Sequence, residues 1–380
     1  MTACPRVSGA KTDDLTGDPL ALSRKLIAWY ELHKRDLPWR QTSDPYAVWI
    51  SEAMLQQTQV ATVMGYWTRW LERFPTPTAL ADAPLDDVLK RWQGLGYYAR
   101  ARNLHKAAKL IRDELGGKFP TTYEGVLALP GVGRYTAGAV CSIALGLDVP
   151  LVDANVIRVL GRVFALPGDP KSLGVQDALW EKAGALIPPG EAGTFNQAMM
   201  ELGALVCGAR PKCDACPLSA DCRALALGDP LAYPEFAPKK TFTRQTDVCA
   251  VIYNAEGRLL LTRRAPDGLW GGLWELPRVT LSEGEGAEEA ASRAAREIAG
   301  LTAVPGETLA RVKHGVMQKK ITLLGLACDA PNPERAEPLG CAAVEWTTLE
   351  GTLAYPLSSP QARLIEKLLE AENGEQLALF

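Results

Sequence analysis

LPGVGRYTAGA, residues 129–139, sets two glycines around a valine ahead of a run of small residues able to form a helix. Glycine permits close backbone approach, and the amides of Gly131, Val132 and Gly133 stand at the expected helix start, where partial positive charge favours a phosphate. With the helix expected before it, TTYEGVLAL at 121–129, the unit reads helix, hairpin, helix. A tight turn between two helices accounts for the spacing about equally well. What the turn grips, and why Tyr135 is aimed at it, depends on the rest of the chain.

Around this stretch residues 20–225 read as almost wholly helical. AVWISEAMLQQTQVATVMGYWTRWLERF and LHKAAKLIRDEL place apolar residues three and four apart, with Pro or Gly between runs. ALGDPLAYPEFAPKKTF, 226–242, carries prolines without periodicity and reads as a linker. Beyond it the period changes. TDVCAVIYNAEGRLLLTRR predicts a hairpin around Asn-Ala-Glu-Gly, GAEEAASRAAREIAG a helix, and KKITLLGLACDA and CAAVEWTTL strands. The expected organisation is a disordered N-terminus (1–19), an all-α domain (20–225), a linker (226–242), an α/β domain (243–370) and a tail (371–380).

A chain of 380 residues that is 47% hydrophobic buries a large core and favours more than one domain. The net charge of −3 argues against a uniformly basic nucleic-acid binder. Residues 20–225 hold 23 Lys/Arg against 20 Asp/Glu and residues 241–380 hold 14 against 19, a contrast too small to show DNA binding. There is no run of 18 apolar residues, and MTACPRVSGAKTDDLTGDP lacks an export signal's apolar core. We therefore expect a protein of the reducing cytoplasm with no membrane partner.

Two carboxylates stand out. Glu52 is flanked by Trp49, Ile50, Met54 and Leu55 on a helix, and a carboxyl among apolar groups keeps its proton to higher pH, as a general acid requires; a solvated glutamate is the alternative. Asp153 follows an apolar extended run and precedes ANVIRVLGRV, the position of a helix N-cap, so capping and chemistry compete for it. Nine cysteines include four in a C-x5-C-x2-C-x5-C pattern at Cys207, Cys213, Cys216 and Cys222. Four clustered thiols in a reducing compartment point to metal, and spacing alone leaves zinc and [4Fe–4S] both open.

LPWR (37–40), SEAMLQQTQV (51–60), GLGYYARARNLHKAA (94–108), LPGVGRYTAG (129–138), VDANVIRVLGR (152–162) and FNQAMMELG (195–203), collinear along most of the chain, resemble the MutY family of helix-hairpin-helix DNA glycosylases. The resemblance implies a multidomain protein: an all-α helix-hairpin-helix glycosylase domain with an iron–sulfur loop, and an α/β Nudix-like C-terminal domain. It implies hydrolysis of the N-glycosidic bond of adenine mispaired with 8-oxoguanine or guanine, on flipped-out base in double-stranded DNA, by a monomer associated with a bacterial chromosome. Glu52 matches the acid that protonates adenine and Asp153 the carboxylate that stabilises the sugar oxocarbenium, the two-carboxylate logic of retaining glycosidases.

In related glycosylases that also cut the strand, the hairpin carries a lysine that forms a Schiff base. Tyr135 cannot form one, so with Asn155 it is assigned to orienting carboxylates and water in a monofunctional enzyme. By the same resemblance Gln57 and Tyr97 wedge into the duplex, Thr58 and Leu95 touch the partner purine, and Gly131, Val132 and Gly133 grip the backbone. Trp39, Arg40 and Glu201 line the adenine pocket, and the four cysteines match a [4Fe–4S] loop whose first gap is one residue short.

In the second domain GLWGGLWELP, 268–277, is the most specific match to the family's Nudix-like module. Gly300 and Leu301 stand where a pyrophosphohydrolase needs paired glutamates, which leaves a recognition module. Where the family carries a Phe-Ser-His loop that inspects 8-oxoguanine, this chain has Val316, Met317 and Gln318, with His314, Lys319 and Lys320 nearby on the expected DNA side.

Overall fold

The computed structural model describes residues 18–237 and 241–377. Most of the expected N-terminal segment, three linker positions and the last three residues of the tail lie outside the described residues. Where description starts, Asp18 accepts a hydrogen bond from the Leu20 amide and caps the Pro19–His33 helix. The helix Ser359–Leu377 runs into the segment expected as a tail.

Contacts divide the chain into two compact units. One ends at Asp82 and resumes at Lys106; the other comprises Ala83–His105 and the chain beyond the linker. Residues 83–105, expected with the helical domain, thus group with the C-terminal part. They are tied there by specific bonds: Tyr98 Oη to the Leu357 carbonyl at 2.7 Å, Arg102 to the Gly271 carbonyl at 2.7 Å, and Arg263 to Asp86 at 2.6 Å.

The first unit is helical. The long apolar period of 47–74 breaks into Pro45–Leu55 and Val60–Arg73 at Gln57, which adopts a left-handed φ of 59°. Asp44 caps the first of these helices, with Pro45 opening its first turn. The hairpin stretch lies between the helices Tyr123–Leu127 and Arg134–Ile143. Leu26 and Tyr30 of the first helix, Val156 and Leu160 of Ala154–Val163, and Phe195, Met199 and Leu202 of Ala192–Leu205 share one core. Gly203 lets the last two helices meet, since a Cβ there would fall 2.6 Å from the Asn155 Cβ.

Among the described residues the second unit holds seven strands: β1 (Thr243–Ile252), β2 (Leu259–Arg263), β3 (Trp274–Glu275), β4 (Arg278–Thr280), β5 (Val304–Val316), β6 (Lys319–Asp329) and β7 (Ala343–Thr347). One sheet is ordered β4-β1-β6-β5, with β1 and β6 parallel, and the other β3-β2-β7. The hairpin expected from β1 and β2 is therefore not a ladder. After one bridge between Tyr253 and Leu259 the two strands part into different sheets, because β4 and β6 take both edges of β1. Val248, Ala250 and Ile252 pack on alanines of the Ala287–Ala299 helix, while Cys249 and Val251 pack with Leu364, Ile365 and Leu368 of the C-terminal helix. A strand buried on both sides reads as a continuous apolar run.

Candidate active site

Glu52 sits on the Pro45–Leu55 helix, 4% exposed, and its Oε2 accepts a short hydrogen bond from the Tyr135 hydroxyl. Burial raises the Glu52 carboxyl to about 7. The Tyr135 bond and the more distant Arg40 pull it down, while negative Asp153 pushes it up. The alternative of a solvated helix-face glutamate is thereby removed. Tyr135 stands at the start of the Arg134–Ile143 helix, and its phenol is held well above the ordinary value by burial and by Glu52 and Asp153, so it remains a donor at every working pH. Its Oη also lies 3.8 Å from the Met200 sulfur.

Asp153 does cap its helix, and its two carboxylate oxygens have separate partners. Oδ1 accepts the Val156 amide at 2.7 Å and caps the Ala154–Val163 helix; Oδ2 accepts from Asn155 Nδ2 at 2.8 Å. Burial raises its carboxyl, and these bonds with Arg158 counteract the rise. Asn155 is itself held: its Oδ1 accepts from Arg158 at 2.8 Å, and Arg158 also donates to the carbonyls of Gly203 and Cys207, each at 2.6 Å. A hydrogen-bonded chain thus runs from Cys207 through Arg158 and Asn155 to Asp153. The sequence reading missed Arg158, although it lies one helical turn beyond Asn155 on the same face.

Trp39 and Glu201 are buried, at 6% and 1% exposure, with the Trp39 ring 6.2 Å from Trp67. Burial would raise the Glu201 carboxyl, but Arg35 and Arg40 hold it at about 2. Arg35 grips it through its backbone amide and two guanidinium nitrogens at 2.8–2.9 Å, and Arg40 through two nitrogens at 3.2 and 2.9 Å. Arg35 was another omission; the two arginines flanking Asp-Leu-Pro-Trp in RDLPWR were the available signal.

In the hairpin, Gly131 takes φ 77°, open to glycine at little cost. The Val132 amide donates to the Leu129 carbonyl within the turn, so of the three amides expected to meet a phosphate this one is already engaged. Gln57 and Thr58 follow the Glu52 helix, Gln57 exposed and left-handed. Non-glycine residues held there are strained, a feature that gathers at functional sites.

Tyr97, at φ 47° and 48% exposed, shares the feature. It lies with Leu95 in a cleft of the second unit that also includes Trp270, His314, Val316 and Met317. The structure thus brings these recognition candidates together. Met317, 72% exposed, turns the β5–β6 hairpin at φ 52°. Both His314 ring nitrogens are buried without a hydrogen-bond partner among the described residues, and its ring centroid lies 5.6 Å from that of Trp270.

Cys207, Cys213, Cys216 and Cys222 line one cavity of the first unit, walled by Val159, Leu202 and Leu218. Burial and the neighbouring sulfurs raise the Cys216 thiol to about 11 and also raise Cys222, with backbone amides opposing. Among the described residues no three His, Cys, Asp or Glu side chains close into a cage around a single ion. Arg162, 4% exposed, points Nη1 at the Cys207 sulfur from 3.3 Å and otherwise donates to the carbonyls of Cys207, Gly208, Pro230 and Tyr233. A buried guanidinium with neutral partners is costly unless negative charge stands beside it. Four thiolates around an iron–sulfur cluster would supply that charge, so the donor set and its surroundings fit such a group.

The sequence model of the HhH-GPD superfamily of base excision DNA repair proteins matches residues 50–184, and that of the NUDIX domain matches residues 248–367. The human adenine DNA glycosylase is 38% identical over 414 aligned residues, covering 94% of this chain and 74% of the relative. The chain belongs to the adenine DNA glycosylase family. A bacterial member, from Buchnera aphidicola subsp. Baizongia pistaciae (strain Bp), is 36% identical over 68% of this chain and 74% of its own length. A solved structure described as a thermostable thymine-DNA glycosylase aligns with 55% of this chain and 97% of its own at TM-score 0.51 and 31% identity. The fold is that of a helix-hairpin-helix glycosylase unit joined to a Nudix-like unit. Among the described residues, no helix is long and apolar enough to cross a membrane.

Proposed function

We propose that the chain is a monofunctional adenine DNA glycosylase that releases adenine paired with 8-oxoguanine or guanine from double-stranded DNA. The observation that carries this is the buried Glu52, kept protonatable near neutral pH and fixed by the Tyr135 phenol, in one site with Asp153. Adenine leaves poorly as an anion. Glu52 gives its proton to a ring nitrogen of the flipped base, and the C1′–N9 bond then breaks with its electron pair going to adenine. The positive charge left on the sugar faces the Asp153 carboxylate, whose Oδ2 is positioned by Asn155. Water adds at C1′ and its proton returns to a carboxylate. No amine stands at position 135 to trap the sugar, so the strand stays intact.

The four cysteines would hold a [4Fe–4S] cluster, which when bound cross-links the Cys207–Cys222 loop and sets negative charge against Arg162. Arg158 and Arg162 both anchor the Cys207 backbone.

Two measurements test this reading. Incubation with an adenine-containing mispaired duplex is expected to leave an alkali-labile site and an uncut strand, with no borohydride-trapped complex; a trapped covalent complex would show a lyase. Protein purified without air is expected to carry on the order of four irons per chain. One zinc per chain would overturn the cluster assignment.

A further inference from the structure

On one face of the larger sheet the strand register builds a row of unopposed cations. Arg244 of β1 pairs with Lys320 of β6, which pairs with Gly315 of β5. The next row on that face is Thr246, Thr322 and Lys313, and beyond it Val248 and Leu324 pass under the Ala287–Ala299 helix. The basic rows are the part of the face that this helix leaves open. They line a groove with Phe242, Gln245, His314 and Ile321, and among the described residues no carboxylate contributes to it. Among the described residues none of Arg244, Lys313 and Lys320 makes an ion pair. Asp247, next along β1, belongs to the opposite face, where it holds Arg278 at 2.7 Å.

Two cations side by side on neighbouring strands repel, and an anion laid across them removes that cost. The Lys320 ammonium stands 5.3 Å from the centre of the half-exposed Phe242 ring, which limits its wandering. Strand spacing of about 4.8 Å and a two-residue step of about 6.7 Å put Arg244 and Lys313 roughly 12 Å apart along the diagonal. That is about the axial length of three to four nucleotides of one strand. Threonine hydroxyls between the cations supply donors of the kind that phosphate oxygens accept.

We propose that this platform of Arg244, Lys320 and Lys313, with Thr246 and Thr322, docks the phosphodiester backbone of duplex DNA independently of base sequence and lesion. This rests on the DNA glycosylase reading and adds to it a lesion-blind anchor in the Nudix-like unit.

The test compares the wild type with Arg244→Gln/Lys313→Gln/Lys320→Gln. The dissociation constant of the full-length protein is measured for a mispaired and for a fully paired duplex from 50 to 200 mM KCl. Each phosphate contact contributes about 0.9 to the slope of log affinity against log salt. The triple variant is expected to lose about 2 to 3 from that slope on both duplexes. Lys313→Gln alone should lose about 0.9, which keeps the question answerable if the triple variant folds poorly.

A control of equal charge loss on other exposed positions, Arg296→Gln/Arg335→Gln/Lys367→Gln, should keep the wild-type slope. An unchanged slope in the triple variant, an equal loss in the control, or a loss confined to the mispaired duplex would overturn the proposal. So would binding of free dGTP that needs these three residues while the duplex slope does not. Failure of the wild type to release adenine would instead strike the enzymatic reading and leave the slope comparison interpretable.

Discussion

Replacing Glu52 by glutamine should abolish excision and at the same time stabilise the protein, by an amount that grows with pH. Glu52 is 4% exposed and its carboxyl sits near 7, against an ordinary 4.5. Below pH 4.5 it is neutral in folded and unfolded chains alike and has no effect on the balance. Between 4.5 and 7 the unfolded chain loses the proton first, so stability falls as pH rises; above 7 the fold bears the full burden of the buried charge. At 1.36 kcal/mol per pH unit that burden is about 1.4 kcal/mol at pH 5.5 and about 3 kcal/mol at pH 8.5. Glutamine keeps the shape, accepts the same Tyr135 bond and never ionises. Denaturant titration of both proteins at the two pH values should therefore show the advantage of Glu52→Gln widening by about 2 kcal/mol at the higher pH. An advantage that stays constant or shrinks would mean that the carboxyl is not held near neutrality by burial, and the acid assignment would lose its physical basis.

Tyr135→Phe removes the hydroxyl that lowers the Glu52 carboxyl; a hydrogen bond to a charged group is worth about 1.5–3 kcal/mol, so the alkaline limb of the single-turnover rate profile should move up by about one to two pH units, and a limb that stays put or moves down would contradict the assigned bond. Asp153→Asn should bind DNA but release no base, with its melting temperature close to wild type because asparagine caps about as well as aspartate; an active Asp153→Asn would leave only the capping role. Writing Phe, Ser and His at 316, 317 and 318 restores a donor at the exposed tip of the β5–β6 hairpin. One such contact is worth about 0.5–1.5 kcal/mol, so the ratio of excision opposite 8-oxoguanine to that opposite guanine should rise roughly two- to tenfold, and an unchanged ratio would show that other residues do the inspecting.

The two candidate carboxylates were legible because their surroundings are local. The apolar neighbours of Glu52 within one helical turn forecast its burial, and the extended run before ANVIRVLGRV forecast the Asp153 cap. The cysteine loop was equally legible, its four thiols lying within sixteen residues. What stayed hidden depends on distant pairing. Arg35 and Glu201 meet across 166 positions, and Arg162 reaches a sulfur 45 residues away. The parting of β1 and β2 follows from β4 and β6 taking both edges of β1, which no local period records. Residues 83–105 have ordinary amphipathic helix character, so the bonds of Tyr98 and Arg102 that attach them to the second unit carry no local signal. The Val132 amide needed the actual turn to show that Leu129 occupies it.

Base release from duplexes carrying adenine opposite 8-oxoguanine, guanine, cytosine and thymine, under single-turnover conditions with the free base identified, tests the central claim most directly. The account predicts free adenine, fastest opposite 8-oxoguanine, slower opposite guanine and absent opposite thymine, with the strand intact until alkali is added. Release of a different base, or of none while the protein is folded and binds the duplex, would contradict it.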